Sequence, residues 1–286
     1  MFRLILVLFF FFLAACSSND NKDYKDYQNV YEDNIFSDEE LFEIANNYIS
    51  SDKLEEALIE LDKIQVLYPS SKYSNKSILL TAYIYFLKED YEKTRAISEN
   101  YKKYYPGSVD IIYANYLEAM SYYVLIKKSD YSQKNTEIAL EKFNFLLNAY
   151  PNNKYEIDII TKIQIIKNTL ARNKLEIAKF YIDKNNINGA LIYLIEIYND
   201  FNSSPSIEEA LYLISKIYYE IEEYETAKYY ASILAYNFPN SEWYKKSYNV
   251  INSLEDVNNS NWFDKYNPVK ILSRKKKDDS KIEILK

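Results

Sequence analysis

Small side chains recur along this chain in pairs twelve residues apart, and a proline, or a residue in its place, follows the second of each pair by another twelve. Ala45, Ala57 and Pro69 keep that interval, as do Ala82, Thr94 and Pro106; Ala178, Ala190 and Asn202; and Ser215, Ala227 and Pro239. Ala139 and Pro151 keep the second interval, with Ala119 placed twenty residues before Ala139. Three residues after the first small residue there is a tyrosine each time: Tyr48, Tyr85, Tyr122, Tyr181 and Tyr218. Just before the proline position there is an aromatic: Tyr68, Tyr105, Tyr150, Phe201 and Phe238. Two antiparallel helices approach closely only where small side chains meet. One small residue on each helix, twelve apart through a short turn, allows that contact. The tyrosine one turn on fills the space beside it, and proline stops the second helix and starts the next unit.

The pattern predicts an all-α fold, a right-handed superhelical array of about five helix-turn-helix units of the tetratricopeptide (TPR) kind plus a capping helix. The units fall at about 38–71, 75–108, 112–153, 171–204 and 208–241, and the array runs from 38 to 257. Two glycines and six prolines are too few for a chain rich in strands and tight turns. Asp38 and Ser206 stand where first-turn caps belong. Gly189 stands in a turn where a left-handed backbone costs little. Extra residues around Lys127 to Thr136 stretch the third unit.

The ends read differently. Arg3, the apolar run from Leu4 to Leu13, and Leu13-Ala14-Ala15-Cys16 have the form of a bacterial lipoprotein leader. Residues 1–15 are expected to be removed, leaving Cys16, the only cysteine, as the attachment point for lipid. Residues 16–37 read as a polar, flexible tether and 258–286 as a basic, weakly structured tail. The net charge of −7 argues against a nucleic-acid partner. Without histidine and with one cysteine, the usual zinc sites are excluded, and no metal, cofactor or catalytic residue is expected.

Several linked segments make the reading more specific. LDKIQVLYPSSKYSNKSILLTAYIYFLKEDYEKT, YANYLEAMSYY (Tyr113 to Tyr123), QKNTEIALEKFNFLLNAYPNNKY and IKNTLARNKLEIAKFY resemble, in order and spacing, segments of the BamD family. That resemblance runs from the leader to about residue 251. It implies a non-enzymatic lipoprotein of the β-barrel assembly (BAM) complex, lipid-anchored at the periplasmic face of the outer membrane. It further implies binding of unfolded outer-membrane β-barrel clients, docking to a BamA-like barrel protein through its POTRA domains, and contact with other BAM lipoproteins. Asn173-Lys174 stands where the family has His-Glu, Tyr219 where it commonly has arginine, and Ile111 and Ile112 displace an aspartate.

A groove lined by the first helix of each unit would present Phe42, Asn46, Leu79, Tyr83, Phe86, Tyr116 and Tyr123 to a client segment with aromatic anchors. Tyr219, Glu222 and Glu223 stand where the resemblance places the BamA-facing turn. Leader and repeats alone would equally serve another periplasmic scaffold, for pili, secretion or envelope division. A glycan hydrolase using paired carboxylates is the remaining rival, with no motif in its favour.

Overall fold

The computed structural model describes residues 36–128 and 133–252, and every regular element there is helical. The leader, Cys16, the tether up to residue 35 and the basic tail lie outside those residues. The described residues divide into two compact units with the boundary between Leu117 and Glu118.

The first unit holds α1 (Asp38–Ser50), α2 (Leu54–Leu67), α3 (Lys72–Leu87), α4 (Tyr91–Tyr104) and the first half of α5 (Ile111–Tyr123). Its main core gathers Leu41, Ala45, Ala57, Leu61, Ile64 and Ile84. A smaller cluster joins Leu79 to Tyr101 and Ala114. The Tyr101 hydroxyl hydrogen-bonds to Ser108 Oγ at 2.8 Å, and burial pushes its pKa up. The entry to α1 is held by a capping box. Ser37 accepts from the Glu40 amide, and the Glu40 carboxylate accepts from the Ser37 amide and hydroxyl. Those donors hold the Glu40 carboxyl below its usual pKa. The cap is therefore Ser37, one residue ahead of Asp38, whose carboxylate instead accepts from Ser71, the cap of α3.

The second unit holds the rest of α5, a 3-10 turn (Val124–Lys128), α6 (Gln133–Ala149), α7 (Glu156–Asp183), α8 (Ile187–Asp200), α9 (Ile207–Glu220), α10 (Tyr224–Asn237) and α11 (Glu242–Asn252). Helix α11 packs against α9 and α10 as a closing element. The fourth hairpin does not open at 171. Its first helix begins at Glu156 and runs 28 residues, about 42 Å. The reason is visible in the sequence: from Glu156 on there is no glycine, proline or cap, and Ile159, Ile163, Ile166 and Leu170 continue one buried stripe.

The small residues do what their spacing requires. Ala45, Ala57, Ala82, Thr94, Ala119, Ala139, Ala178, Ala190, Ser215 and Ala227 are all fully buried. In the last hairpin the contact is direct, since Ser215 Oγ donates to the Ala227 carbonyl at 3.0 Å.

Two turn types alternate. Within a hairpin the tyrosine carbonyl accepts the amide five residues on: Tyr48 from Lys53, Tyr85 from Asp90, Tyr181 from Asn186 and Tyr218 from Glu223, at 2.8–2.9 Å. The residue before each of those amides is left-handed: Asp52, Glu89, Asn185 and Glu222, with φ between 55° and 66°. This is the Schellman closure, made here without glycine. Gly189 is not the left-handed residue. It sits in the first turn of α8, where a Cβ would come within 2.8 Å of the Tyr181 ring, so it is needed for close approach. Between hairpins, the aromatic carbonyls of Tyr68, Tyr105, Phe201 and Phe238 accept from the amides of Ser71, Ser108, Ser204 and Ser241.

Candidate partner-binding surfaces

The residues expected to line a client groove separate into surface and core. Phe42 on α1 is half-buried, packs against the main core, and its ring lies 5.0 Å from that of Tyr73 on α3. The Tyr73 hydroxyl donates to Glu39 at 2.6 Å, a bond that raises its pKa. Asn46 is exposed, with its amide donating back to the Phe42 carbonyl. Tyr83 and Phe86 are half-buried on α3, Phe86 edge-on to Tyr91 at 5.6 Å. Tyr116, on α5, is also half-buried. Leu79 is different: at 3% exposure, between Tyr101 and Ala114, it is a core residue and cannot meet a ligand. Tyr101 of α4 and Ala114 of α5 cover that part of α3.

Tyr123 belongs to the second unit. Its ring meets Phe143 edge-on at 6.1 Å and lies 5.5 Å below the Lys162 ammonium. Nearby is a feature no motif flagged. Glu118 on α5 is 1% exposed and pairs with Lys142 on α6 at 2.8 Å. Burial works against the Lys142 charge, but the Glu118 carboxylate prevails and raises its pKa.

The α9–α10 turn presents Tyr219, Glu222 and Glu223. Tyr219 is half-buried and edge-on to Tyr224 at 5.5 Å, while both glutamates are exposed. Glu222 is left-handed and Glu223 caps α10 without a side-chain bond. Ile221 and Tyr224 are exposed beside them. The turn is thus an apolar and acidic knob; its aliphatic part was readable in YEIEEYE but reads equally as helix interior. Lys174 is engaged inside the unit, paired with Glu196 at 2.6 Å. The Lys179 ammonium bridges α7 to Glu209 on α9 at 2.8 Å. Behind the turn, Tyr230 stacks on Tyr218 and meets Tyr198 and Tyr229 edge-on. Burial pushes the Tyr229 and Tyr230 hydroxyls up in pKa.

Among the described residues no cluster of acidic, cysteine or histidine side chains could hold a metal, and no helix is long and apolar enough to cross a membrane.

Residues 36–234 match the family YfiO, described as outer membrane lipoprotein. The outer membrane protein assembly factor BamD of Rickettsia prowazekii is 32% identical over 204 residues, which is 71% of this chain and 81% of that protein. The protein of the same name from Caulobacter vibrioides is 28% identical over 197 residues, 69% of this chain and 65% of that one. Among solved structures, PilW, a type IV pilus biogenesis factor, is 16% identical, covering 73% of this chain and 96% of that one, with a TM-score of 0.35. A score that low carries no argument.

Proposed function

The chain belongs to the YfiO family of outer membrane lipoproteins, and from that membership we propose that it is a BAM-complex component acting by binding rather than by catalysis. It is anchored through lipid on Cys16 and faces the periplasm. It receives unfolded β-barrel clients on the first unit and docks to a BamA-like POTRA-bearing barrel protein through the second. The observation that carries this reading is the family match across residues 36–234, which spans both candidate surfaces.

The client surface on the first unit is the aromatic set Phe42, Tyr83, Phe86 and Tyr116 with the Asn46 amide; Tyr123, on the second unit, is a separate client contact. Half-buried rings lose less side-chain freedom on binding than fully exposed ones, so they suit a segment carrying aromatic and alternating apolar residues. The docking surface is Tyr219, Glu222 and Glu223, to which Ile221 and Tyr224 add apolar area. Where the family's arginine would supply a salt bridge, Tyr219 supplies packing, and the charge there comes from the two glutamates.

The test is capture of the tagged lipoprotein from detergent-solubilised membranes. A POTRA-bearing barrel protein should be recovered in near-stoichiometric amount. Recovery of pilus, secretion or division components without such a barrel would reject the assignment. A folded Tyr83→Ala/Phe86→Ala double variant should bind a client carboxy-terminal peptide about tenfold more weakly, the loss of roughly 1.4 kcal/mol. Unchanged affinity would remove the aromatic set from the client surface.

A further inference from the structure

Helix α3 also lines a groove away from Tyr83. Ile78, Thr81 and Tyr85 lie on the side turned from Tyr83, since five residues from Ile78 to Tyr83 is about 140° round the helix, while Phe86 lies between the two sides, about 80° from Ile78. On that side a groove of about 590 Å³ opens between α2, α3 and α4. Leu58, Ile78, Tyr85 and Ile97 contribute apolar lining, and Ile59, 52% exposed, stands at its edge. The apolar strip continues along α2 to Val66, 39% exposed. Such a lining is costly to leave facing water.

The polar lining identifies what fits. Glu55 is already paired with Lys88. Asp62 is exposed and makes no hydrogen bond or ion pair among the described residues. The groove therefore offers one uncommitted carboxylate above an aliphatic strip. The surrounding charge has the same sign: residues 36–117 hold fourteen acidic and nine basic side chains. An anionic lipid or an acidic peptide would be repelled, and a cation alone would leave the strip uncovered.

We propose that this groove docks a segment of a partner polypeptide in which aliphatic residues alternate with lysine or arginine. Aliphatic side chains fill the space between Leu58, Ile78 and Ile97, and an ammonium or guanidinium meets Asp62. The site is separate from the aromatic client face and does not depend on that assignment. Two segments can occupy the first unit at once, one on each side of α3.

The experiment uses the full chain in detergent and a fluorescein-labelled decapeptide alternating isoleucine and lysine, read by fluorescence anisotropy. The wild type should bind it and not the isoleucine–glutamate counterpart. Asp62→Lys and Ile59→Glu, both at exposed positions, should each weaken binding about tenfold with the helical spectrum unchanged. Tyr83→Ala/Phe86→Ala should leave it intact. Equal affinity of wild type and Asp62→Lys, or no preference for the cationic peptide, overturns the proposal. Photo-crosslinkers at Ile59 and Val66 in the assembled complex should join the chain to a basic, aliphatic segment of another polypeptide. Crosslinks to residues 265–281 of the same chain, or no crosslink at all, would overturn the choice of occupant.

Discussion

The last hairpin, α9–α10, and the stretched third hairpin, α5–α6, solve one packing problem in two ways. In α9–α10 the small residues are twelve apart, the turn is closed by the Tyr218 carbonyl and left-handed Glu222, and Ser215 touches Ala227. Local geometry sets the register. In α5–α6 the small residues Ala119 and Ala139 are twenty apart, too far for that turn to align them. Both are nonetheless fully buried, and beside them lies the Glu118–Lys142 pair. A long connection costs little extra loop entropy but does not specify how two helices slide. A buried carboxylate paired across the two helices does, because sliding one helix along the other takes Lys142 away from Glu118. We read the ion pair as the substitute for the missing short turn.

Breaking the substitute should have the largest effect. Lys142→Met takes the Lys142 cation from the buried Glu118 carboxylate and should destabilise the chain by about 3 kcal/mol in chemical denaturation. Adding Glu118→Leu to it should restore most of that loss. If Lys142→Met costs under about 0.5 kcal/mol, on the scale of a surface pair, the pair does not set the register. Next comes the contact it replaces. Ala57→Leu inserts a larger side chain where Ala45, Leu61 and Ile84 already close the space, and should cost about 2 kcal/mol. The same change at exposed Glu56 should be near neutral, which separates packing from composition.

The sequence made the hairpins legible because steric contact between helices leaves a mark at fixed spacing, and all eight small positions at the twelve-residue interval are buried as that spacing requires. What stayed illegible lacks such a mark. The left-handed closures fall on Asp52, Glu89 and Glu222, which read as ordinary turn charges, while the glycine that invited the assignment, Gly189, serves close approach to Tyr181. Glu118 hides in YANYLEAM because its partner is 24 residues away across the insertion. The periodicity of α3 alone turns Leu79 toward the groove, because its neighbours Tyr101 and Ala114 belong to other helices. The second groove on α3 is built by side chains from three helices, and no one of them carries its pattern.

The fifth hairpin allows a finer cut. Ser215 stands where Ala45, Ala82, Ala119 and Ala178 suffice elsewhere, and its hydroxyl donates to Ala227 while accepting from Ser247 on α11 at 3.2 Å. Ser215→Ala should cost about 1 kcal/mol, since it strands the buried Ser247 hydroxyl. The Ser215→Ala/Ser247→Ala double variant should cost no more than the single. An additive loss would show that Ser215 does not hold the closing helix.

The smallest effect tests the turn itself and has the opposite sign. At φ 66° a glutamate pays a steric cost that asparagine largely escapes, and Asn185 already fills the equivalent place at φ 55°. Glu222→Asn should therefore raise stability by about 0.5 kcal/mol, or 1–2 °C in a chain of roughly this size. The substitution also removes one of the two charges assigned to docking. Higher melting temperature with weaker capture of the barrel protein would mean that the strained glutamate is retained for its carboxylate. Higher melting temperature with capture unchanged would strip Glu222 of that role and leave Glu223, with the apolar knob of Tyr219, Ile221 and Tyr224, to make the contact.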